Sequence, residues 1–307
     1  MSSVRAAVID VGTNSILLTI ADVDGATGAV SVVDDRCRIE RLGRGVDKSG
    51  VLDEAAIARG LDAMKEYAGA IRAAGATRIA AVGTQALREA SNGAAFLGPA
   101  RELLGVDIEV IGGRREAELA FGAVMKSFPE YRRGPLVVMD VGGGSTELIV
   151  GQDGAIVSLV SVPIGSVRMT ERFVHSDPPT PAEAAALSAG IDAALAPNAL
   201  PARVPLVGTA GTATTLAAVA VGLEPYDPDR VQGMRVARAE VDAQLARYLG
   251  TTTAERGKIR GLDPKRADVI HAGCAIVSRV MARMDADTLV VSDRGIRFGL
   301  LAEVAGA

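Results

Sequence analysis

Apolar residues in this chain come in short runs closed by acidic or small residues, and one such arrangement occurs twice. Residues 6–9 and 136–139 are apolar runs of strand length. Each is followed by an aspartate (Asp10, Asp140), a turn of small residues and a second apolar run, at 16–20 and 148–150. Asp24-Gly25 and Asp153-Gly154 then mark a turn into a third strand in each copy. Asp53 is placed to cap a helix in which Ile57, Leu61, Met64 and Ile71 recur at helical spacing and which Gly75 ends. A strand at 78–82, a helix at 94–104, a strand at 108–111 and a helix at 114–127 follow. Strands alternating with helices indicate an α/β domain with a partly parallel sheet.

The polar segment Pro129-Glu130-Tyr131-Arg132-Arg133-Gly134-Pro135 breaks this pattern just before the second copy and reads as a domain boundary, dividing the chain into 1–128 and 129–307. The second half repeats the scheme. It has a helix at 182–195 after Thr180-Pro181, a strand at 204–207, a helix at 211–221, a long helix at 264–284 and a strand at 289–291. A closing helix at 295–304 lies in a C-terminal stretch, 295–307, expected to pack back on the first domain. The reading is two related halves with a cleft between them.

Bulk numbers support that reading and narrow the function. A chain of 307 residues with 49% apolar content exceeds the size at which single cores usually stop growing. With 33 basic and 37 acidic residues the net charge is −4, which argues against duplex DNA and against any polyanion held by a generally positive surface. A phosphate-rich ligand must be held locally. There is no Trp, so no stacking platform for single-stranded nucleic acid is visible. Cys37 and Cys274 lack metal-type spacing and suit a reducing compartment, as two small buried residues. Residues 1–5 run into a strand without the segments of a secretory leader, so the mature protein is expected to start here and to be cytoplasmic. The stretch 204–223 carries no charge. It contains Pro205, three glycines and four threonines, so it splits into strand, turn and helix and is not read as a membrane span.

The chemistry concentrates at the duplicated turns, Gly12-Thr13-Asn14-Ser15 and Gly142-Gly143-Gly144-Ser145-Thr146. Glycine lets backbone approach a ligand, and successive N–H groups in such turns form a concavity for an anion. The hydroxyls of Thr13, Ser15, Ser145 and Thr146 can add donors. A single turn of this kind could equally be a tight strand connection; two copies in one context are harder to read so. Asp10 and Asp140 hold matching places. Brought face to face they suit Mg²⁺, and each taken alone suits a turn cap. Glu147 could extend a metal site or be a solvated strand residue. Arg88 follows a strand end, where α/β sheets collect ligands, and its planar fork can grip a phosphate. Glu116 lies near a helix start, where a carboxylate usually just offsets the dipole, yet a phosphate-cleaving site needs a group to orient or deprotonate water. His175 and His271 read as structural.

These residues together resemble the exopolyphosphatase and guanosine pentaphosphate phosphohydrolase family, of the actin, sugar-kinase and Hsp70 superfamily. The resemblance runs through 10–15, 83–90, Glu116-Ala117, 140–147 and 208–212, then 261–270 and 292–299. It implies two ribonuclease-H-like, actin-like α/β domains flanking an interdomain phosphate-binding cleft, in the short form without a further helical region. It places the catalytic glutamate on Glu116, the phosphate-gripping arginine on Arg88, and substrate contacts on Gly12 to Ser15, Gly142 to Thr146, Gly211 and Thr212. Asp10, Asp140 and Glu147 are the metal candidates. The implied cofactor is Mg²⁺, with K⁺ as an open addition, and the implied partners are inorganic polyphosphate, guanosine pentaphosphate or tetraphosphate, and a second copy in a homodimer. One departure is Arg115, where relatives often carry a glutamate. With Arg114 it would make the cleft mouth more positive or simply be solvated. An ATP-dependent kinase or ATPase of the same superfamily, or a non-catalytic polyphosphate or guanosine polyphosphate binder, are the competing expectations.

Overall fold

In the computed structural model, which describes residues 3–306, the duplicated apolar pattern becomes two mixed sheets of the same strand order. The chain falls into two units, Met1–Leu119 with Ile296–Ala307, and Ala120–Gly295.

Unit 1 starts with β1 (Ser3–Val11), β2 (Ile16–Asp24) and β3 (Val30–Arg38), an antiparallel meander. A short α1 (Val46–Ser49) precedes α2 (Glu54–Ala74). The side chain of Asp53 accepts from Ala56 N–H and Gly75 ends α2 in the left-handed conformation, as the capping pattern implies. β4 (Arg78–Gly83) then pairs parallel to β1, and α3 (Gln85–Glu89), α4 (Ala94–Leu104), β5 (Ile108–Val110) and α5 (Gly113–Ser127) follow. The sheet order is β3-β2-β1-β4-β5. β1 and β2 bury Ile9, Val11, Ile16, Leu18 and Ile20 against Met64 and Tyr67 of α2 and Phe96 of α4. Each such apolar side chain contributes about 1.5–3 kcal/mol. The Tyr67 hydroxyl donates to Ile16 O at 2.9 Å, so this buried polar tip is paired.

The chain leaves unit 1 inside α5, and the 129–135 segment that reads as a boundary forms a 3₁₀ turn (Pro129–Arg132) within unit 2. Unit 2 repeats the meander in β6 (Pro135–Val141), β7 (Thr146–Gln152) and β8 (Ala155–Val162), with Asp153 and Gly154 both at positive φ in the β7–β8 turn. Next come α6 (Ser166–Phe173), α7 (Pro181–Leu195), β9 (Leu206–Thr209) and α8 (Ala210–Ala220). Then follow α9 (Pro228–Val231), β10 (Arg235–Ala237), α10 (Arg238–Leu249), α11 (Thr253–Arg256), α12 (Ile270–Arg283) and β11 (Thr288–Val291). The order β8-β7-β6-β9-β11-β10 repeats that of unit 1 with one added edge strand, the ribonuclease-H-like arrangement. Val137, Met139, Leu148, Leu187, Leu216, Ile276 and Met281 fill its core. The last helix, α13 (Ile296–Ala305), belongs to unit 1, where it lies on β1, β2 and β4.

Several expectations are corrected. The long helix at 264–284 is a 3₁₀ turn, Pro264–Arg266, followed by α12: Asp263 caps the turn, and i→i+3 bonds through Val269 separate the two. Both β1 and β6 run past their aspartates, so Asp10 and Asp140 are strand residues, as is Thr146 on β7; Glu147 is on β7, in keeping with its strand reading, but buried and not solvated. Of the two cysteines only Cys274 is buried; Cys37 is exposed, because β3 is an edge strand with one side toward solvent. The uncharged stretch 204–223 holds β9 and the 11-residue α8, but the turn expected between them is not there: Thr209 ends the strand and Ala210, at positive φ, already begins the helix. No helix among the described residues is long and apolar enough to cross a membrane.

Candidate active site

The two turns are built alike. Gly12 N–H donates to Ser15 O at 2.9 Å, and Gly142 N–H to Ser145 O at 3.0 Å. A Cβ at Gly12 would lie 2.9 Å from that oxygen and one at Gly142 3.2 Å, so neither position accepts a side chain without movement. Each turn is braced from one side. In unit 1, Gly43 N–H donates to Thr13 O at 2.8 Å and Arg41 N–H to Asn14 O at 2.9 Å. In unit 2, Ser166 N–H donates to Gly142 O at 2.9 Å and Val167 N–H to Gly143 O at 2.8 Å, and Arg168 Nε donates to Gly144 O at 2.9 Å. A trans peptide points its C=O and N–H in opposite directions. Braced carbonyls therefore aim the N–H groups of Asn14 and Ser15, and of Gly143, Gly144 and Ser145, away from the brace, as an anion cradle requires. Both braces involve tight backbone: Arg41 sits at φ 55°, and Gly165 lies so close to Gly143 that a Cβ would overlap its backbone. A non-glycine residue at positive φ costs on the order of 1–3 kcal/mol.

The hydroxyls of unit 2 face inward. Ser145 Oγ donates to Glu147 Oε1 at 2.9 Å, Thr146 Oγ1 to Ile164 O at 2.6 Å, and Thr212 Oγ1 to Val141 O at 3.3 Å. In unit 1, Thr13 packs its methyl toward Gly43. The cradle is thus mainly backbone. Gly211 is the second residue of α8, after Ala210, which is held at φ 64°, and lies under the Arg266 guanidinium; a Cβ there would be 2.6 Å from Arg266 Cζ. Arg266 and Arg168 are cations that periodicity does not single out, because the segments they serve are distant in sequence.

The acidic residues are distributed unequally. In unit 2, Asp140 and Glu147 are direct partners across β6 and β7, on one face of the sheet, and both are buried. Thr209 Oγ1 donates to Asp140 Oδ2 at 2.8 Å, and Ser161 Oγ reaches Glu147 Oε1 at 2.7 Å. Burial pushes the Asp140 carboxyl up to about 6, against the opposing Thr209 bond. In unit 1 the corresponding partner of Asp10 is Leu17. Among the described residues no group of three or more His, Cys, Asp or Glu is arranged to hold a metal. Mg²⁺ needs fewer protein ligands, commonly one or two carboxylates with waters and phosphate oxygens, so the Asp140–Glu147 pair fits its donor chemistry.

Glu116 and Arg88 meet in unit 1. β4 leads into α3, which carries Arg88, and the Gly112-Gly113 turn after β5 starts α5, which carries Glu116. Arg88 Nη1 donates to Glu116 Oε1 at 2.8 Å and to Ile111 O at 2.6 Å. Glu116 is buried while Arg88 is about one-third exposed, at 31%. A carboxylate used only to offset a helix dipole would be solvated; this one is enclosed and held by a guanidinium. Arg114 and Arg115 both have carboxylate partners, Glu118 and Glu303, so neither adds an uncompensated positive charge. His175 is exposed; His271 is buried on α12, where desolvation and then Arg256 lower it to about 4.

The Ppx/GppA phosphatase family matches residues 19–306 of the chain. Exopolyphosphatase 2 of Mycobacterium tuberculosis is 38% identical, with 100% of both chains covered. A guanosine-5'-triphosphate,3'-diphosphate pyrophosphatase of Vibrio vulnificus is 30% identical over 97% of this chain and 59% of its own. The crystal structure of the Aquifex aeolicus Ppx/GppA family member superimposes with a TM-score of 0.83 at 35% identity, covering 98% of this chain and 97% of that one. With the matching sheets and turns, these place the chain in the Ppx/GppA phosphatase family, as a hydrolase of actin-like α/β fold.

Proposed function

We propose that this protein removes the terminal phosphate of inorganic polyphosphate, with guanosine pentaphosphate as a second substrate, by attack of water on the terminal phosphorus. The relatives named as exopolyphosphatase and as guanosine pentaphosphate hydrolase support the substrate class. The single observation that carries the chemistry is the buried Glu116 carboxylate held by the partly exposed Arg88. The N–H groups of the two turns hold phosphate oxygens, with Arg88, Gly211 and Thr212 as further contacts. Glu116 orients water and accepts its proton as the new P–O bond forms and the bridging P–O bond breaks. Substrate phosphate competes for the Arg88 guanidinium, which leaves the Glu116 carboxylate available to water. Asp140 and Glu147 would hold Mg²⁺, which would supply neutralisation of phosphate charge, and Asp10 on β1 is the matching candidate in unit 1. A K⁺ requirement, a homodimer and a cytoplasmic location complete the reading.

A panel of polyphosphate, guanosine pentaphosphate and ATP, each with Mg²⁺ and a free-phosphate readout, tests it. The expected result is fastest release from polyphosphate, slower release from guanosine pentaphosphate and least from ATP. Thermal stabilisation by polyphosphate with no phosphate released would instead identify a binder, and a preference for ATP would identify a kinase or ATPase.

A further inference from the structure

The first turns of α5 are held from outside by the C-terminal helix. Arg115 Nη1 donates to Glu303 Oε1 at 2.8 Å, and its Nη2 to Glu303 Oε2. One helical turn along, Gly299 lies against the backbone of Leu119, where a Cβ would sit 2.8 Å from the carbonyl carbon. Residues 115 and 119 of α5 therefore meet 303 and 299 of α13, a four-residue step on each helix taken in opposite directions. α13 is itself tied to the sheet of unit 1. Arg297 Nη1 donates to Thr19 Oγ1 at 2.5 Å and pairs with Asp35, Arg78 Nη1 donates to Val304 O at 2.8 Å, and Leu301 is fully buried.

We infer that α13 is a positioning brace for Glu116, and that Arg115, Gly299 and Glu303 are positioning residues for hydrolysis. This rests on the reading of Glu116 as the group that directs water. Arg115 adjoins Glu116 in the chain, and the early turns of a helix lack part of their backbone bonding and fray most easily. Pinning Arg115 and Leu119 to a helix anchored in the sheet fixes where the Glu116 carboxylate stands relative to Arg88. An exposed ion pair adds little to global stability, whereas misplacing a catalytic group by about 1 Å can cost on the order of a hundredfold in rate. The signature is a loss in turnover without a matching loss in stability.

The test is charge reversal and swap: R115E, E303R and R115E/E303R, with kcat and KM on polyphosphate and the thermal midpoint of each. Each single variant is expected to lose about three- to tenfold in kcat with KM and midpoint nearly unchanged, and the swap to recover to within about twofold of wild type. Wild-type kcat in both single variants, or a swap no better than they are, would overturn the brace. Glu116→Gln measured alongside separates the two readings: normal turnover there removes the premise, while loss there with normal charge variants removes only the brace.

Discussion

The turns of the two units have one backbone design and different companions. Gly12 and Gly142 make the same bond to a serine three residues on, and each turn has its carbonyls bonded to a neighbouring segment. Beside the first turn the partner of Asp10 is Leu17; beside the second the partner of Asp140 is Glu147. After the parallel strand the first unit places Arg88, paired with Glu116, and the second places the start of α8, with Gly211 under Arg266. The difference teaches that the repeat duplicates a turn geometry and, under the proposed function, divides the remaining work. Unit 1 carries the group that can take a proton, and unit 2 carries the carboxylates that suit a cation.

Variants on opposite sides of this comparison should fail in different ways. Glu116→Gln should lower turnover by roughly 10²- to 10⁴-fold with an unchanged circular dichroism spectrum, since a positioning base is worth about that much. Turnover near wild type would move the proton acceptor elsewhere. Glu147→Gln should instead raise the Mg²⁺ concentration for half-maximal activity by about 10- to 100-fold, whereas Leu17→Gln at the matching place leaves it unchanged. Equal effects of the two would erase the proposed asymmetry.

A smaller effect concerns pH. With Asp140 raised to about 6, the folded protein holds a proton that the unfolded chain releases nearer pH 4, so this residue lowers stability as pH rises from about 4 to 6. In urea denaturation with chelator present, Asp140→Asn should gain on the wild type across that window, by about 3 kcal/mol, and hold a constant advantage above it. His271 acts in the opposite direction, losing stability as pH falls from about 6.5 to 4, but it is present in both proteins and cancels. A pH-independent difference would mean that Asp140 is not destabilised by burial. The smallest contrast is steric. Gly12→Ala should cost more than Gly142→Ala, by a few tenths to about 1 kcal/mol, because its Cβ would stand closer to the serine carbonyl. The reverse order would contradict the turn geometry.

Much of this was legible in the sequence where local rules suffice. The strand–turn–strand copies, the α2 caps and the helices at α4, α5, α7 and α8 follow from apolar spacing, Asp, Thr and Gly, all within a few residues of one another. The short α3 and α6 and the strand β10 did not emerge, because pieces of three to eight residues carry too few apolar repeats to show a period. Long-range polar contacts were also invisible. That Arg88 meets Glu116, that Arg115 is neutralised by Glu303, and that Arg266 covers Gly211 depend on segments far apart in sequence. The same limit hid the inward direction of the Ser145, Thr146 and Thr212 hydroxyls, since donor types are readable and their partners are not.

The most direct measurement is hydrolysis of polyphosphate of defined length in H₂¹⁸O with Mg²⁺, following the label by mass spectrometry. Water directed at the terminal phosphorus predicts one ¹⁸O in each released orthophosphate and an unlabelled chain shortened by single units. Unlabelled orthophosphate with label in the remaining chain, or fragments cut from mid-chain, would contradict the account.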